Sequence, residues 1–188
     1  MYFYEIINLL TWNVPHFLIV SFILTILGYI LLHIVFHKKK PLVQYFWFFC
    51  SSFYLQLLYM TTIGQRPGSN FIRHKPNFIP FIEILQVYSM GFQRMMLQIA
   101  INLLLLAPLG FLLPVQLRKF RSFPRTVLTV LAVSLLIETL QYFIGRSADI
   151  DDVIMNTVGG MVGYLCFMVY EKIMKWIQNI RLRRKNSG

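Results

Sequence analysis

The residues that could do chemistry gather in one short stretch near residue 150, where an arginine and three aspartates precede an apolar run. They are Arg146, Asp149, Asp151 and Asp152. Three clustered carboxylates could hold a divalent cation, bind a cationic group of a ligand, or pair with guanidinium groups. The arginines available for such pairing are Arg66, Arg73, Arg94 and Arg146. Because the spacing matches no fixed metal-loop rule, we expect no metal site, and the sequence identifies no cofactor.

Glu138 is a further acid, and it lies inside an apolar run. An acid in lipid costs several kcal/mol unless it is neutralised or paired, so a functional role is the default interpretation of Glu138. It could act as a general acid or base, with Asp149 or Asp151 as its partner. Asp152 is placed to be the N-cap of a helix that begins at Val153, where its carboxylate would accept hydrogen bonds from free backbone N–H groups.

Amides recur at helical spacing in the apolar runs around these acids. A rise of ~1.5 Å per residue puts four polar groups about 6 to 10 Å below the same membrane surface. They are Gln56, Asn102, Glu138 and Asn156. We therefore predict a polar pocket between four helices that opens outward. Alternatively, these groups only bond one another and hold the bundle together, each pair contributing about 1 kcal/mol or less. For Gln56 and Asn102 both interpretations stay open.

Composition indicates that these residues are carried by membrane helices. The chain of 188 residues is 57% hydrophobic and 13% charged, with a mean hydropathy of +0.61. Soluble domains carry about a quarter charged residues, so a soluble fold is excluded. Five apolar runs approach the roughly 20 residues that a spanning helix needs. They are residues 14–36, 43–63, 95–113, 126–144 and 153–170.

The net charge of +11 predicts the orientation of this all-α bundle. Thirteen of the 18 basic residues fall in residues 37–41, 115–125 and 171–188, which alternate with the other connecting segments. Since basic residues accumulate on the cytoplasmic side, we expect five transmembrane helices with the N-terminus out and the C-terminus in. The positive charge then records orientation, and no nucleic-acid partner is implied.

Prolines and small residues predict how these helices bend and pack. Pro108 and Gly110 predict a kink in the third span. Gly159, Gly160 and Gly163 include a small-residue spacing that allows close helix approach.

Residues 81–89 are too short to span the membrane. We expect them to lie in the interface or to fold back over the pocket, which would bring Asn77 and Glu83 to the acidic loop.

The order of these motifs resembles the VanZ-like family of bacterial membrane proteins. Four elements carry the resemblance. They are Asn77-Phe-Ile-Pro80-Phe81; Asn102 through Ala-Pro108-Leu-Gly110 to Pro114; Glu138-Thr-Leu-Gln141; and Asp149-Ile-Asp151-Asp152-Val-Ile-Met-Asn156 through Gly159-Gly160 to Gly163. The resemblance covers residues 76–170 and divides the chain into a first helix with its basic loop (1–42), a second helix and the start of a loop (43–75), the VanZ-like domain, and a basic tail (171–188).

The resemblance implies a location and a phenotype more firmly than a reaction. The family's founding member is associated with resistance to the glycopeptide teicoplanin, so we expect a multi-pass protein of the bacterial cytoplasmic membrane that lowers susceptibility to such antibiotics. The motif residues that it carries over are Asn77, Pro80, Asn102, Glu138, Gln141, Asp149, Asp152 and Asn156. The predicted ligand site consists of Asn77, Asn102, Glu138, Gln141, Asn156, Gln56 and Arg146. The candidate catalytic groups are Glu138, Asp149, Asp151 and Asp152, and the residues predicted to be structural are Pro80, Pro108, Gly110, Gly159, Gly160 and Gly163.

Two other functions stay open. The first is an enzyme that acts on a lipid-linked envelope substrate, with Glu138 and the three aspartates as acid and base groups. The second is a small proton-coupled carrier, for which a lone membrane acid is the usual indication. The expected partners are membrane lipids and a lipoglycopeptide or a lipid-linked envelope precursor. The sequence indicates neither the ligand nor the oligomeric state.

Overall fold

The computed structural model describes residues 2–34, 42–63 and 76–186, and the side chains within residues 13–31, 42–63 and 76–183. These parts of the chain are helical, with an isolated parallel bridge between Asn77 and Asp149. They divide between two compact units, Met1–Gln65 and Arg66–Gly188.

The first unit is a pair of packed helices, α1 (Tyr2–Ile34) and α2 (Leu42–Thr62). The Gln56 Nε2 donates to the hydroxyl of fully buried Ser21 at 2.7 Å, which satisfies an amide that lipid could not.

The second unit contains α3 (Ile82–Ser89), α4 (Phe92–Gln116), a 3-10 turn (Arg118–Phe120), α5 (Phe123–Phe143) and α6 (Ile150–Asn186). α6 packs most extensively against α4 and also against α5. α4 continues through Pro108 and Pro114, and α5 tolerates Pro124 because the first turn of a helix has free N–H groups.

Glycines allow α4 and α6 to approach closely. A Cβ at Gly159 would overlap the carbonyl of Leu103, and one at Gly163 would overlap the carbonyl of Ala107. Gly110 faces the backbone of Gly160 in the same way. The helix faces that pack together therefore have almost no side chain between them at these positions.

The distribution of polar residues suits lipid as the surrounding medium. Large apolar side chains such as Leu104, Leu128 and Leu136 are 56–69% exposed, whereas Ser134 and Asn156 are at most 1% exposed. Among the residues that the structure describes, four helices are long and apolar enough to cross a membrane. They are Asn13–Leu31, Phe92–Gln116, Phe123–Phe143 and Ile150–Arg183. α2 also has the length of a spanning helix, and it carries Tyr, Ser and Gln side chains among its apolar residues.

Candidate functional site

The segment before α3 lies against the acidic loop, which is one of the two placements that the sequence left open. The backbone N–H of Asn77 donates to Ala148 at 2.9 Å, and the N–H of Ile150 donates to Asn77 at 3.0 Å. The Asn77 amide also donates to Asp149 at 2.9 Å. Side chain and backbone together fix this segment beside the start of α6.

The turn that follows α5 determines the position of Arg146. Gly145 has a φ of 87°, a conformation that glycine adopts without strain. Its N–H donates to Tyr142, and the N–H of Arg146 donates to Gln141 at 2.9 Å. This is the Schellman arrangement, which turns the chain sharply after a helix and satisfies its last carbonyls.

Asp149 is the N-cap of α6, so the prediction that Asp152 has this role is wrong. α6 begins at Ile150, and the N–H of Asp151 donates to the Asp149 carboxylate at 2.8 Å. The N–H of Asp149 in turn donates to Glu138 at 3.0 Å. Asp149 and Glu138 are both buried, so these bonds hold α5 to the start of α6.

Asp151 provides the N-terminal cap of another helix. Its carboxylate, only 2% exposed, accepts from the N–H of Phe81 at 2.5 Å and from that of Ile84 at 3.4 Å. Phe81, the residue before α3, has no side-chain acceptor and a φ of 68°. A carboxylate here satisfies free N–H groups and complements the helix dipole, so Asp151 holds α3 in place.

Asp152 and Asn156 lie one turn apart on α6 and bond to different helices. Asn102 of α4 donates its amide to Asp152. The Asn156 amide donates to Ser134 of α5 at 3.1 Å, while its carbonyl oxygen is buried and accepts no hydrogen bond. Asn102 and Asn156 therefore each take part in a separate interhelical hydrogen bond.

Glu83 is the acid that the sequence placed near this loop without assigning it to the site. It lies in α3, which is too short to span a membrane. One carboxylate oxygen accepts from Gln98 at 3.0 Å, and the other is buried without a partner. Burial, followed by the charge of Asp152, raises the pKa of Glu83 to about 7. A half-paired acid in the first turn of a short helix is the signal that could have identified it.

Two cavities, each of about 350 Å³, lie against Asp149. The polar cavity is lined by Glu83, Gln141, Arg146, Ser147, Asp149 and Asp152. The apolar pocket is lined mainly by Phe78, Leu135, Tyr142, Phe143, Ile150 and Val153, with Asn77 and Glu138 at its polar edge. Asn102 and Asn156 line neither cavity, and Gln56 belongs to the first unit, so its place in the site stays a prediction.

The acids of this site differ in how their carboxylates are hydrogen-bonded. Asp149, Asp151 and Glu138 each accept hydrogen bonds from backbone N–H groups, which ties their carboxylates to the fold. Glu83, which lines the polar cavity, has one carboxylate oxygen that accepts no hydrogen bond. Arg146 supplies that cavity with a positive group. Across the described side chains, no three His, Cys, Asp or Glu residues are arranged to hold a metal ion.

Basic residues occupy the opposite end of the second unit. Glu171 of α6 pairs with Arg121 at 3.0 Å and with Lys175 at 3.2 Å. The hydroxyl of Tyr164 donates to the Arg121 carbonyl at 2.8 Å, which fixes the turn before α5 against α6. The acidic site and most of the described basic residues of this unit therefore lie at opposite ends of the same helices, with Arg94 and Arg146 at the acidic end.

Comparisons with known proteins identify the family of this chain. Neither the curated proteins nor the solved structures gave a match. The VanZ/LLP1 family matches residues 42–171, which is more than half of the chain and includes α2 as well as every residue of the two cavities. Together with its apolar helices, this match makes the protein a VanZ-like membrane protein: the chain belongs to the VanZ/LLP1 family.

Proposed function

We propose that this protein of the bacterial cytoplasmic membrane lowers susceptibility to glycopeptide antibiotics such as teicoplanin. It acts through the site formed by the two cavities, which faces outward in a five-span topology. The founding member of the VanZ-like family is associated with this phenotype, and the family match supports carrying it over. Teicoplanin-type molecules have an acyl tail and act at the outer leaflet, where the outward site would open.

The observation that carries the proposal is the pairing of a polar cavity with an apolar pocket at the acidic end of the bundle. Basic residues such as Arg118, Lys119 and Arg125 lie at the other end. Since basic residues are retained on the cytoplasmic side, the positive-inside rule directs the acidic end outward. Polar and apolar compartments that share Asp149 suit an amphiphilic molecule of the outer leaflet.

The size of the polar cavity limits how the site acts. A volume of about 350 Å³ corresponds to roughly a dozen water molecules, at about 30 Å³ each. That space is enough for a lipid headgroup or for one end of a larger molecule. The site therefore acts on a small group at the membrane surface, and protection follows from the change that this makes at the outer leaflet.

Expression in a teicoplanin-sensitive host tests the proposal. The wild-type protein should raise the minimum inhibitory concentration, and Arg146→Gln should return it to the value of the empty vector. Arg118→Gln makes the same change at the basic end and should leave protection intact. Membrane levels of each variant are compared by immunoblot. Equal protection by Arg146→Gln and the wild type would refute the assigned site.

Glu83 favours a second candidate, an enzyme that acts on a lipid-linked envelope substrate. Its pKa of about 7 and its unpartnered oxygen suit proton transfer near neutral pH, and Arg146 could hold an anionic headgroup. Asp149 and Glu138, the acids expected from the sequence, accept structural hydrogen bonds. Lipid inventories of cells with and without the protein test this candidate. It predicts a changed headgroup or glycan species that disappears in the Glu83→Gln variant.

A further inference from the structure

Two buried oxygen atoms at the acidic end of the bundle have no hydrogen-bond donor. One is the second carboxylate oxygen of Glu83, whose side chain lines the polar cavity. The other is the carbonyl oxygen of Asn156, one turn below Asp152 on the same helix and only 1% exposed. A buried acceptor without a donor destabilises the fold. Only the Glu83 oxygen belongs to a residue that lines a cavity, so it is the one that a ligand in the polar cavity could meet with a hydrogen-bond donor.

The charges around the polar cavity indicate which donor fits best. Glu83, Asp149 and Asp152 supply carboxyl groups, and Arg146 supplies one guanidinium. A primary ammonium has a positive charge and three N–H donors. It can therefore compensate the charge of the acids and donate a hydrogen bond to the unpartnered oxygen of Glu83. A quaternary ammonium has the charge without the donors. Arg146, in the same cavity, is suited to a phosphate group next to the ammonium.

The lining of the apolar pocket indicates what the rest of the ligand is made of. Leu135, Phe143 and Val153 line it together with Asp149, which also lines the polar cavity, and Phe143 is 68% exposed. In a membrane this exposed side chain meets acyl chains. A chain in the apolar pocket therefore belongs to a molecule whose headgroup can reach the polar cavity.

We propose that the two cavities bind one zwitterionic phospholipid, with its primary ammonium between Glu83 and Asp152, its phosphodiester at Arg146, and an acyl chain in the apolar pocket. This inference rests on the outward site of the proposed function and names the class of its ligand. It commits the site to a membrane lipid with a small aminated headgroup.

Lipid binding to the purified full-length protein tests this inference. Delipidated protein is titrated in detergent with phosphatidylethanolamine, phosphatidylcholine or phosphatidylglycerol of matched acyl chains, and bound lipid is counted by native mass spectrometry. Phosphatidylethanolamine should bind roughly tenfold more tightly than either other lipid, as expected for charge-assisted hydrogen bonds. Equal binding of phosphatidylethanolamine and phosphatidylcholine would overturn the inference, because only the first has N–H donors.

Variants connect this selectivity to the site. Glu83→Gln keeps an acceptor for Gln98 and removes the charge, so it should abolish most of the preference for phosphatidylethanolamine over phosphatidylcholine. Glu171→Gln, the same substitution at the basic end, should preserve the preference. Thermal denaturation verifies that both variants fold. A preference that survives in folded Glu83→Gln, or that Glu171→Gln removes equally, would also overturn the inference.

The two proposals can fail separately. Selective phosphatidylethanolamine binding in vitro with no protection of cells would refute the resistance function and leave the lipid site standing. Protection that depends on Arg146, without any lipid selectivity, would refute the lipid site and leave the resistance function standing.

Discussion

At the scale of single residues, the acids of this protein differ in what their oxygens do. Asp149 accepts the N–H of Asp151 and the amide of Asn77, so both of its oxygens have donors. Asp151 likewise accepts two backbone N–H groups. Glu83 has a donor for one oxygen alone. Of these three acids, Glu83 is therefore the one whose protonation can change without breaking a backbone hydrogen bond.

The first prediction concerns the pH dependence of stability at Glu83. Its pKa rises from the usual 4.5 to about 7 in the folded protein, so between these values the folded state binds more protons than the unfolded state. Stability should therefore fall as pH rises from about 5 to 8, and the full penalty should be present above pH 7. Glu83→Gln should match the wild type near pH 5 and have the higher melting temperature at pH 8, as measured by thermal denaturation in detergent. Parallel pH profiles for the two proteins would contradict the assignment.

The sequence was enough to predict which residues lie at the acidic loop. It was not enough to predict their hydrogen-bond partners. Asn77 and Glu83 were expected at the acidic loop because residues 81–89 are too short to span a membrane. Asp152 was assigned to the wrong role because the predicted helix began at Val153 instead of Ile150. An earlier start makes Asp149 the cap and turns Asp152 toward Asn102, since each residue rotates a helix by about 100°.

At the scale of secondary-structure elements, α3 depends on a contact from a different helix. Its N–H groups at Phe81 and Ile84 donate to Asp151 at the start of α6. An eight-residue helix is too short to be stable alone, so tertiary contacts of this kind maintain it.

The second prediction is that Asp151→Ala releases α3 and leaves the helix bundle folded. Loss of this cap should cost about 1 to 3 kcal/mol and should leave two N–H groups without their acceptor. Hydrogen exchange followed by mass spectrometry should show faster exchange in residues 76–90 and unchanged protection in α4 and α5. Asp151→Asn keeps a side-chain oxygen and should show a smaller effect. Uniform deprotection of the whole unit would indicate that Asp151 supports the bundle instead.

The third prediction concerns the packing of α4 against α6. A Cβ at Gly159 would overlap the backbone of Leu103, so Gly159→Ala must push the helices apart and should destabilise the protein by about 1 to 3 kcal/mol. Gly28→Ala is the matched control in α1, where the nearest atom, on the Phe48 ring, would lie at an ordinary 3.4 Å. Melting temperatures of the purified variants compare the two. Equal shifts would mean that close approach is not what Gly159 provides.

At the scale of the whole molecule, sequence length and hydropathy were enough to locate the helices, and the ends of the helices depended on local chemistry. The spans predicted at 95–113 and 126–144 correspond to the observed helices Phe92–Gln116 and Phe123–Phe143. The prediction 153–170 became Ile150–Asn186, because the charged residues after Tyr170 are good helix formers and no proline or glycine interrupts them. Hydropathy indicates where the apolar segment of a chain ends. The helix itself ends where other groups satisfy its free backbone N–H or C=O groups.

The length of α6 leads to the last prediction, which concerns orientation. Its 37 residues span about 55 Å, so roughly 25 Å of helix extends beyond a hydrocarbon core about 30 Å thick. With Arg121 and Lys175 at that end, Gln178 should lie in water on the cytoplasmic side, and Ser147 should face the exterior. In a background in which Cys50 and Cys166 are replaced by serine, a membrane-impermeant maleimide should label Ser147→Cys in intact cells. Gln178→Cys should react only after permeabilisation. The reverse pattern would place the acidic site in the cytoplasm, where no antibiotic of the outer leaflet could meet it.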